Sequence, residues 1–467
     1  MSWLVFSLYL LASPGPEEVS FRSDLAPILL RRCIGCHRDE RRQGRYALDV
    51  FERLREPGAS GEAPIVPGEP SSSELYRRVV TDDPDHRMPK DDHPLLASEI
   101  ALLKRWIKEG ARYDADDASA PLAAIAPVQA EPEPPEAYPA ALPILALAFS
   151  PDGRELASSG YHEVLFWDTE TGGLIDRVSD LPQQVHDLDY DAEGLKLAVC
   201  GGRPGVSGRA LWVDLMDGSV SAPLMRLEDV ALAVAFDPAG ERLAVSAAEG
   251  SVSVYRVLDG ARLWRQALHS SWANEVAFDR EGRWVASAGR DHVVKVYRAE
   301  DGELFTTYTG HTQTLPDRPM YRHEVEAAAF RPDGPWLVTA GEGGEVHAWD
   351  PVAFKAFDGT AAQMETRFKV ASPVVKVSIG KDRTLDLATA PGRIFAGGTS
   401  GILREIIPGD PGEVREVGRL GEWIYAVAVH APTNRVAAGT FDGRIAVWTI
   451  GDETPREWIA APGLRTK

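Results

Sequence analysis

From Pro143 to Lys467 a unit of about 42–52 residues recurs, and that period constrains the fold more than any other feature of the chain. One unit reads Leu147-Ala148-Phe149-Ser150-Pro151-Asp152-Gly153, then Leu156-Ala157-Ser158-Ser159-Gly160, then Val164-Leu165-Phe166-Trp167-Asp168, then a turn at Thr171-Gly172-Gly173. Similar units anchor on Tyr190 and Trp212, Phe236 and Tyr255, Phe278 and Tyr297, and Phe330 and Trp349. A degenerate unit spans 374–414, with 381–391 reading as an insertion, and a last one runs from Ile424 to Trp448, making seven. Each unit holds short alternating runs separated by Pro-Asp-Gly or Asp-Gly turns, the signature of hairpins. No such unit can bury its apolar face alone. The expected solution is seven four-stranded blades closed into a ring, which leaves no long sheet edge exposed.

Composition narrows the rest. Acidic residues outnumber basic ones 70 to 50, for a net charge of -20, so a phosphate-coating role and nucleic-acid partners are excluded. No run approaches the roughly 20 apolar residues that span a bilayer. The ten-residue apolar run Trp3–Ala12, followed by Ser13-Pro14-Gly15-Pro16, has the length of a signal peptide, so 1–20 reads as an export signal, although no basic residue precedes Arg22. Residues 21–113 are nearly neutral. Residues 114–142 carry six prolines, six acidic residues and no basic one, and read as an extended tether. Residues 143–467 hold the repeats. The expected architecture is therefore a small all-α domain followed by an all-β seven-bladed propeller.

The chemistry lies in the small domain. Two of only three cysteines form Cys33-Ile34-Gly35-Cys36-His37, a C-x-x-C-H. Thiols three apart reach the two vinyl groups of one haem, and the following histidine then lies beneath the iron. Two rivals exist. A thioredoxin-like redox pair sits at a helix start, yet Leu25, Ile28 and Leu29, with Ser23 as cap, put these cysteines at a helix end. A zinc site needs two further ligands, which only Cys200 or scattered histidines supply. For the second axial position, His86-Arg87-Met88-Pro89-Lys90 offers the Met88 thioether, with His86, His93 or an open site as alternatives. Beyond it, Ser98 opens a helix over Glu99–Glu109 stopped by Gly110, with Ile100, Leu103 and Ile107 on one face for packing against the first helix.

Phe21, the run Asp24-Leu25-Ala26-Pro27-Ile28-Leu29, Cys33 to His37, Val66-Pro67-Gly68-Glu69-Pro70-Ser71, Arg87-Met88-Pro89 and Leu103-Lys104-Arg105-Trp106-Ile107 resemble the cytochrome c-type domain of planctomycete secreted proteins. The resemblance covers 21–113. It implies one covalent haem c held by Cys33 and Cys36, with His37 proximal and Met88 distal. The repeats resemble WD-repeat propellers. Trp167-Asp168 and Trp349-Asp350 match the signature dipeptide, Gly310-His311 keeps the Gly-His, and Asp291 and Asp442 fall at the turn aspartate. Departures elsewhere put the hydrogen-bonded network of such blades in doubt for most of the ring, and ring closure is left open between Glu457-Trp458-Ile459 and a segment near Ala137.

The combined expectation is an exported, periplasmic electron-transfer protein. Its propeller serves as an interaction platform, with a redox partner protein docking there or at the haem edge. A haem-based redox or ligand sensor is the alternative. Less favoured is an oxidoreductase with its active site in the propeller, because no second haem-ligand set is found there. The eight propeller histidines and Cys200 read as structural.

Overall fold

A computed structural model describes residues 18–34, 36–38, 41–90, 93–115, 117–120, 122–126, 132–227, 229–313, 321–357, 374–409 and 412–464. The expected export signal, apart from 18–20, lies outside these residues. The chain separates into two units, 1–129 and 130–467.

The first unit is helical. Ser20 Oγ accepts from the Ser23 backbone N–H at 2.8 Å, while the Asp24 carboxylate accepts from Ser20 N–H at 2.9 Å. This reciprocal cap starts a wide π-type turn over Phe21–Leu25, three residues ahead of the cap expected at Ser23. It leads into α1 (Ala26–Arg32), with Pro27 in the first turn, where its missing N–H costs nothing. Then come α2 (Phe51–Leu54), α3 (Glu74–Val80) and α4 (Ala97–Lys108). Helix α4 begins before Ser98, capped by the Glu99 carboxylate on Leu96 N–H at 2.9 Å, and the chain leaves it through Gly110 at φ +106°.

Phe21 sits edge-on to Phe51, with ring centres 4.8 Å apart, and lies 5.4 Å from Trp106, whose indole N–H donates to Arg112 O at 2.8 Å. These buried rings join the first helical turns to α4, as the apolar spacing predicted. Trp106→Ala is expected to cost about 3–5 kcal/mol, the usual range for deleting a buried aromatic, and denaturant melts of the first unit measure it.

The 114–142 stretch is not a free tether. Residues 122–125 form α5 (Leu122–Ile125), and Leu122 and Ile125 are buried in the first core. Leu122 N–H donates to Asp49 O at 2.8 Å, and Arg22 Nε donates to Ile125 O at 2.9 Å. Tyr138 is built into the propeller unit, its N–H donating to Pro462 O at 2.8 Å. Proline and acidic content marked this stretch as extended, but four apolar residues within it, Leu122, Ile125, Ala126 and Tyr138, find buried surface.

The second unit is a ring of seven four-stranded antiparallel blades. Their inner strands are Leu147–Phe149, Gln184–Tyr190, Ala231–Phe236, Ala273–Phe278, Val325–Phe330, Thr384–Ala390 and Ile424–His430, each packed on the next and the last on the first. Closure is decided: Arg456–Ile459 is the outer strand of blade 7, pairing with Arg444–Thr449. The ring is sealed by packing, since Ile144, Leu147 and Trp167 share one core with Ala437, Ile445 and Val447.

Blade 6 corrects the sequence reading. Val374–Ser378 pairs with Glu345–Trp349 and completes blade 5, delivered there after α6 (Pro351–Phe357). Blade 6 therefore runs over 384–419, and the presumed insertion contains its inner strand. The Gly-rich stretch 201–208 is an extended hairpin joining the second and third strands of blade 2. A Cβ on Gly201 would meet Gln184 O at 1.9 Å, so only glycine lets the neighbouring strand approach.

The network put in doubt is present in blade 4: His269 Nδ1 meets Asp291 at 2.8 Å and its Nε2 meets Ser287 Oγ at 2.7 Å. Blade 5 keeps His311 on Thr339 at 2.9 Å, and blade 1 keeps Trp167 on Ser158 at 2.8 Å. Cys200 is buried in the second strand of blade 2, and burial pushes its thiol well above the usual range.

Candidate functional site

Cys33 caps the C-terminus of α1, its N–H donating to Leu29 O at 3.0 Å. A helix end exposes carbonyls and turns the chain sharply, so 33–37 continues as a tight turn: Cys36 N–H reaches Cys33 O at 3.2 Å, and His37 N–H is shared by Cys33 O and Ile34 O, both at 3.2 Å. Cys33 packs on the core beside buried Ile34, whereas Cys36 is exposed; neither is in a disulfide. Burial pushes the Cys33 thiol up to about 12, against the lowering influence of the Arg32 cation. That is the opposite of an activated redox thiol, which needs a stabilised thiolate.

His37 begins a two-residue strand paired with Arg41–Arg42, and its carbonyl accepts from Leu48 N–H at 2.8 Å. The ring is held from one side only: Nδ1 lies 3.3 Å from Tyr46 O, and Nε2 has no partner among the described residues. Tyr46 is itself anchored, its hydroxyl donating to Leu54 O at 2.8 Å.

Met88 sits in an irregular loop after α3. The loop is pinned by Met88 N–H on Arg78 O at 2.8 Å, and by Asp83, whose backbone O accepts from His86 and Arg87 N–H at 3.1 and 2.8 Å. His86 stands on the exposed side of this turn, its Nδ1 2.6 Å from the Asp83 carboxylate. His93 is exposed, and its carbonyl is taken by the Arg32 guanidinium. Arg87, beside Met88, has a buried Nε with no hydrogen-bond partner among the described residues.

Sequence reasoning singled out Cys33, Cys36, His37 and Met88, and all four lie in the first unit. Two contributors escaped it. Tyr46 acts through a backbone carbonyl, which carries no side-chain signature. Arg87 was read only as part of a motif, although a cation next to a candidate ligand was a usable signal. Among the described residues, no three His, Cys, Asp or Glu groups are placed to hold a bare metal ion.

A helix-end C-x-x-C-H with a one-sided histidine thus stands in a small helical unit, and a seven-bladed ring follows it along the chain. Residues 33–92 match the family model for Planctomycete cytochrome C. Residues 138–168, 262–298 and 302–350 match the WD domain, G-beta repeat model; the last two stretches each join the outer strand of one blade to three strands of the next. No curated protein matches the chain. Among the described residues, no helix is long and apolar enough to cross a membrane.

Proposed function

We propose that residues 21–113 carry one haem c bonded through Cys33 and Cys36, and that the protein exchanges single electrons with a partner docked on its propeller or at the haem edge. The observation that carries this reading is the set of His37. With Nδ1 facing the Tyr46 carbonyl, the ring is held in the tautomer that leaves Nε2 for iron, the usual arrangement of a metal-ligating histidine. When bound, the haem supplies one-electron exchange between ferrous and ferric iron.

The chain's own residues do the rest. Cys33 and Cys36 fix the porphyrin edge, and the Cys33 sulfur sits against the apolar core that receives it. Met88 would be the second residue to hold the iron, and a thioether there would favour electron transfer over catalysis. Arg87 brings a buried N–H without a partner among the described residues, which would suit a haem carboxylate.

The propeller brings a net acidic surface, so basic redox partners are favoured and their association weakens as salt rises. Export across the inner membrane, with 1–20 as its signal, is the matching location, because haem c attachment takes place outside the cytoplasm. Intact mass spectrometry of exported protein made with the attachment machinery tests the reading. The expected result is a gain of one haem that survives denaturation and is lost in Cys33→Ser/Cys36→Ser. Colourless protein with both thiols open to alkylation overturns it.

A further inference from the structure

Between blades 1 and 2 runs a groove of about 760 Å³. One wall is the face of blade 1, with Phe166, Ile175 and Val178; the other is a turn of blade 2 carrying Leu215 and Met216. Met216 is 77% exposed and Ile175 48%, so two large apolar side chains stand uncovered at the rim. Five carboxylates line the same space, Asp152, Glu155, Asp176, Glu193 and Asp217, and no Lys, Arg or His is among its lining residues.

Three buried carboxylates elsewhere on the propeller are matched: Glu163 by Arg177 at 2.7 Å, Asp237 by Arg242 at 2.8 Å, and Asp382 by Arg404. In the groove, the one ion pair among the described residues is Arg154 with Asp152 at 3.8 Å, on an arginine that is almost fully exposed. Burial and the neighbouring Asp152 and Asp176 charges hold the Glu155 carboxyl above the usual range, as expected of an acid with no cation beside it.

A second, independent feature points the same way. Tyr190 lines the groove, and its hydroxyl is closed to solvent with no hydrogen-bond partner. An orphaned buried hydroxyl costs roughly 1–3 kcal/mol, which a ligand group can recover.

We propose that this groove binds a basic segment of a partner polypeptide, one lysine or arginine stem lying on Ile175 and Met216 with its charged head among Asp152, Glu155 and Asp176. The combination of an apolar wall with carboxylates of which only Asp152 has a cation near it, the exposed Arg154, suits a side chain with an aliphatic stem and a cationic tip. A bare metal ion is the wrong guest, since no three acidic groups here are close enough to hold one. The groove also borders Leu174–Val178, the outer strand of blade 1, whose far side pairs with no strand among the described residues. An extended chain can add to such an edge through backbone hydrogen bonds while alternate side chains enter the groove. The inference rests on the platform reading of the propeller and does not involve the haem.

The test uses the full chain, haem-loaded and as Cys33→Ser/Cys36→Ser, with a fluorescent alternating Lys-Ala peptide of about 12 residues. Glu155→Gln/Asp176→Asn/Glu193→Gln removes three groove charges, and Glu303→Gln/Glu413→Gln/Glu416→Gln removes three exposed charges elsewhere. The expected result is a Kd weakened about tenfold or more in the groove variant and less than about twofold in the control, equally with and without haem. Circular dichroism and melting temperature check the fold. If the triple variant misfolds, Met216→Ser on the exposed rim carries the test, with an expected loss of about threefold. Equal weakening in both triple variants overturns the groove and leaves a general acidic platform standing. No binding by the unaltered chain overturns both readings. Binding of spermidine as tight as that of the peptide overturns the polypeptide assignment.

Discussion

Met88→Ala is expected to turn an iron that excludes small ligands into one that binds carbon monoxide readily in the reduced state. Its reduction potential should fall on the order of 0.1 V or more, within the roughly 0.8 V range that axial ligands command. The size of the effect follows from how the loop is built. Its backbone is held by Arg78 O and by the Asp83 turn, neither of which involves the Met88 side chain, so truncation removes the donor and leaves the loop in place. Met88 is the single methionine among the described residues of the first unit, so no second thioether there can take its place. The sulfur-to-iron charge-transfer absorption of the ferric protein should vanish with the substitution. Its persistence in Met88→Ala shows that another group fills the sixth position, and ready carbon monoxide binding before any substitution shows that the position is open.

Asp386→Asn is expected to stabilise the propeller at pH 8 and to destabilise it by about 1–3 kcal/mol at pH 4, where the charge penalty is absent and the lost accepted bond remains. Asp187 and Asp189 from blade 2, Glu275 from blade 4 and Asp386 from blade 6 stand on inner strands around the central channel. Asp187 and Asp386 also cap inner-strand N–H groups of the next blade, Val234 at 2.9 Å and Val427 at 2.6 Å. Burial raises all four carboxyls, with mutual repulsion adding for Asp187 and Glu275, and Asp189 and Asp386 reach about 7.

The unfolded chain titrates these groups near pH 4, so between about pH 4 and 7 folding takes up protons. The carboxyls thus add stability below the unfolded pKa and lose it as pH rises through the folded one. His311 and His347, stacked 3.9 Å apart, act oppositely. Burial lowers both, so their contribution is complete above about pH 6.5 and is lost as pH falls. A melt of the unaltered protein therefore sums two opposed slopes, and the variant separates them.

Neutralising Asp386 removes a charge penalty of up to about 4 kcal/mol at pH 8, while the amide keeps only one of two accepted bonds, at a cost of about 1–3 kcal/mol. The net gain is about 1–3 kcal/mol at pH 8. An Asp386→Asn protein less stable than the parent at pH 8 would refute the account.

What could be read in advance divides along physical lines. The C-x-x-C-H and its place at a helix end were legible because thiol spacing and apolar periodicity are both local. The seven blades were legible because each repeats the same strand and turn chemistry. The start of the first helix was misplaced by three residues, because Ser20 and Ser23 are equally good caps on paper and the choice depends on Asp24 reaching back. Blade 6 was shifted because Val374–Ser378 is an ordinary apolar run until its ladder partner, Glu345–Trp349, is known.

The sequence by itself determined the covalent chemistry available at 33–37, the number of blades and the sign of the surface charge, for these are properties of residue type and spacing. Only the tertiary structure decided which face of His37 is free, how the ring seals, where 114–142 is buried and which carboxylates go without a cation. Those outcomes depend on a distant backbone carbonyl, a strand edge or an arginine arriving at the right place, and long-range approach leaves no mark in local sequence.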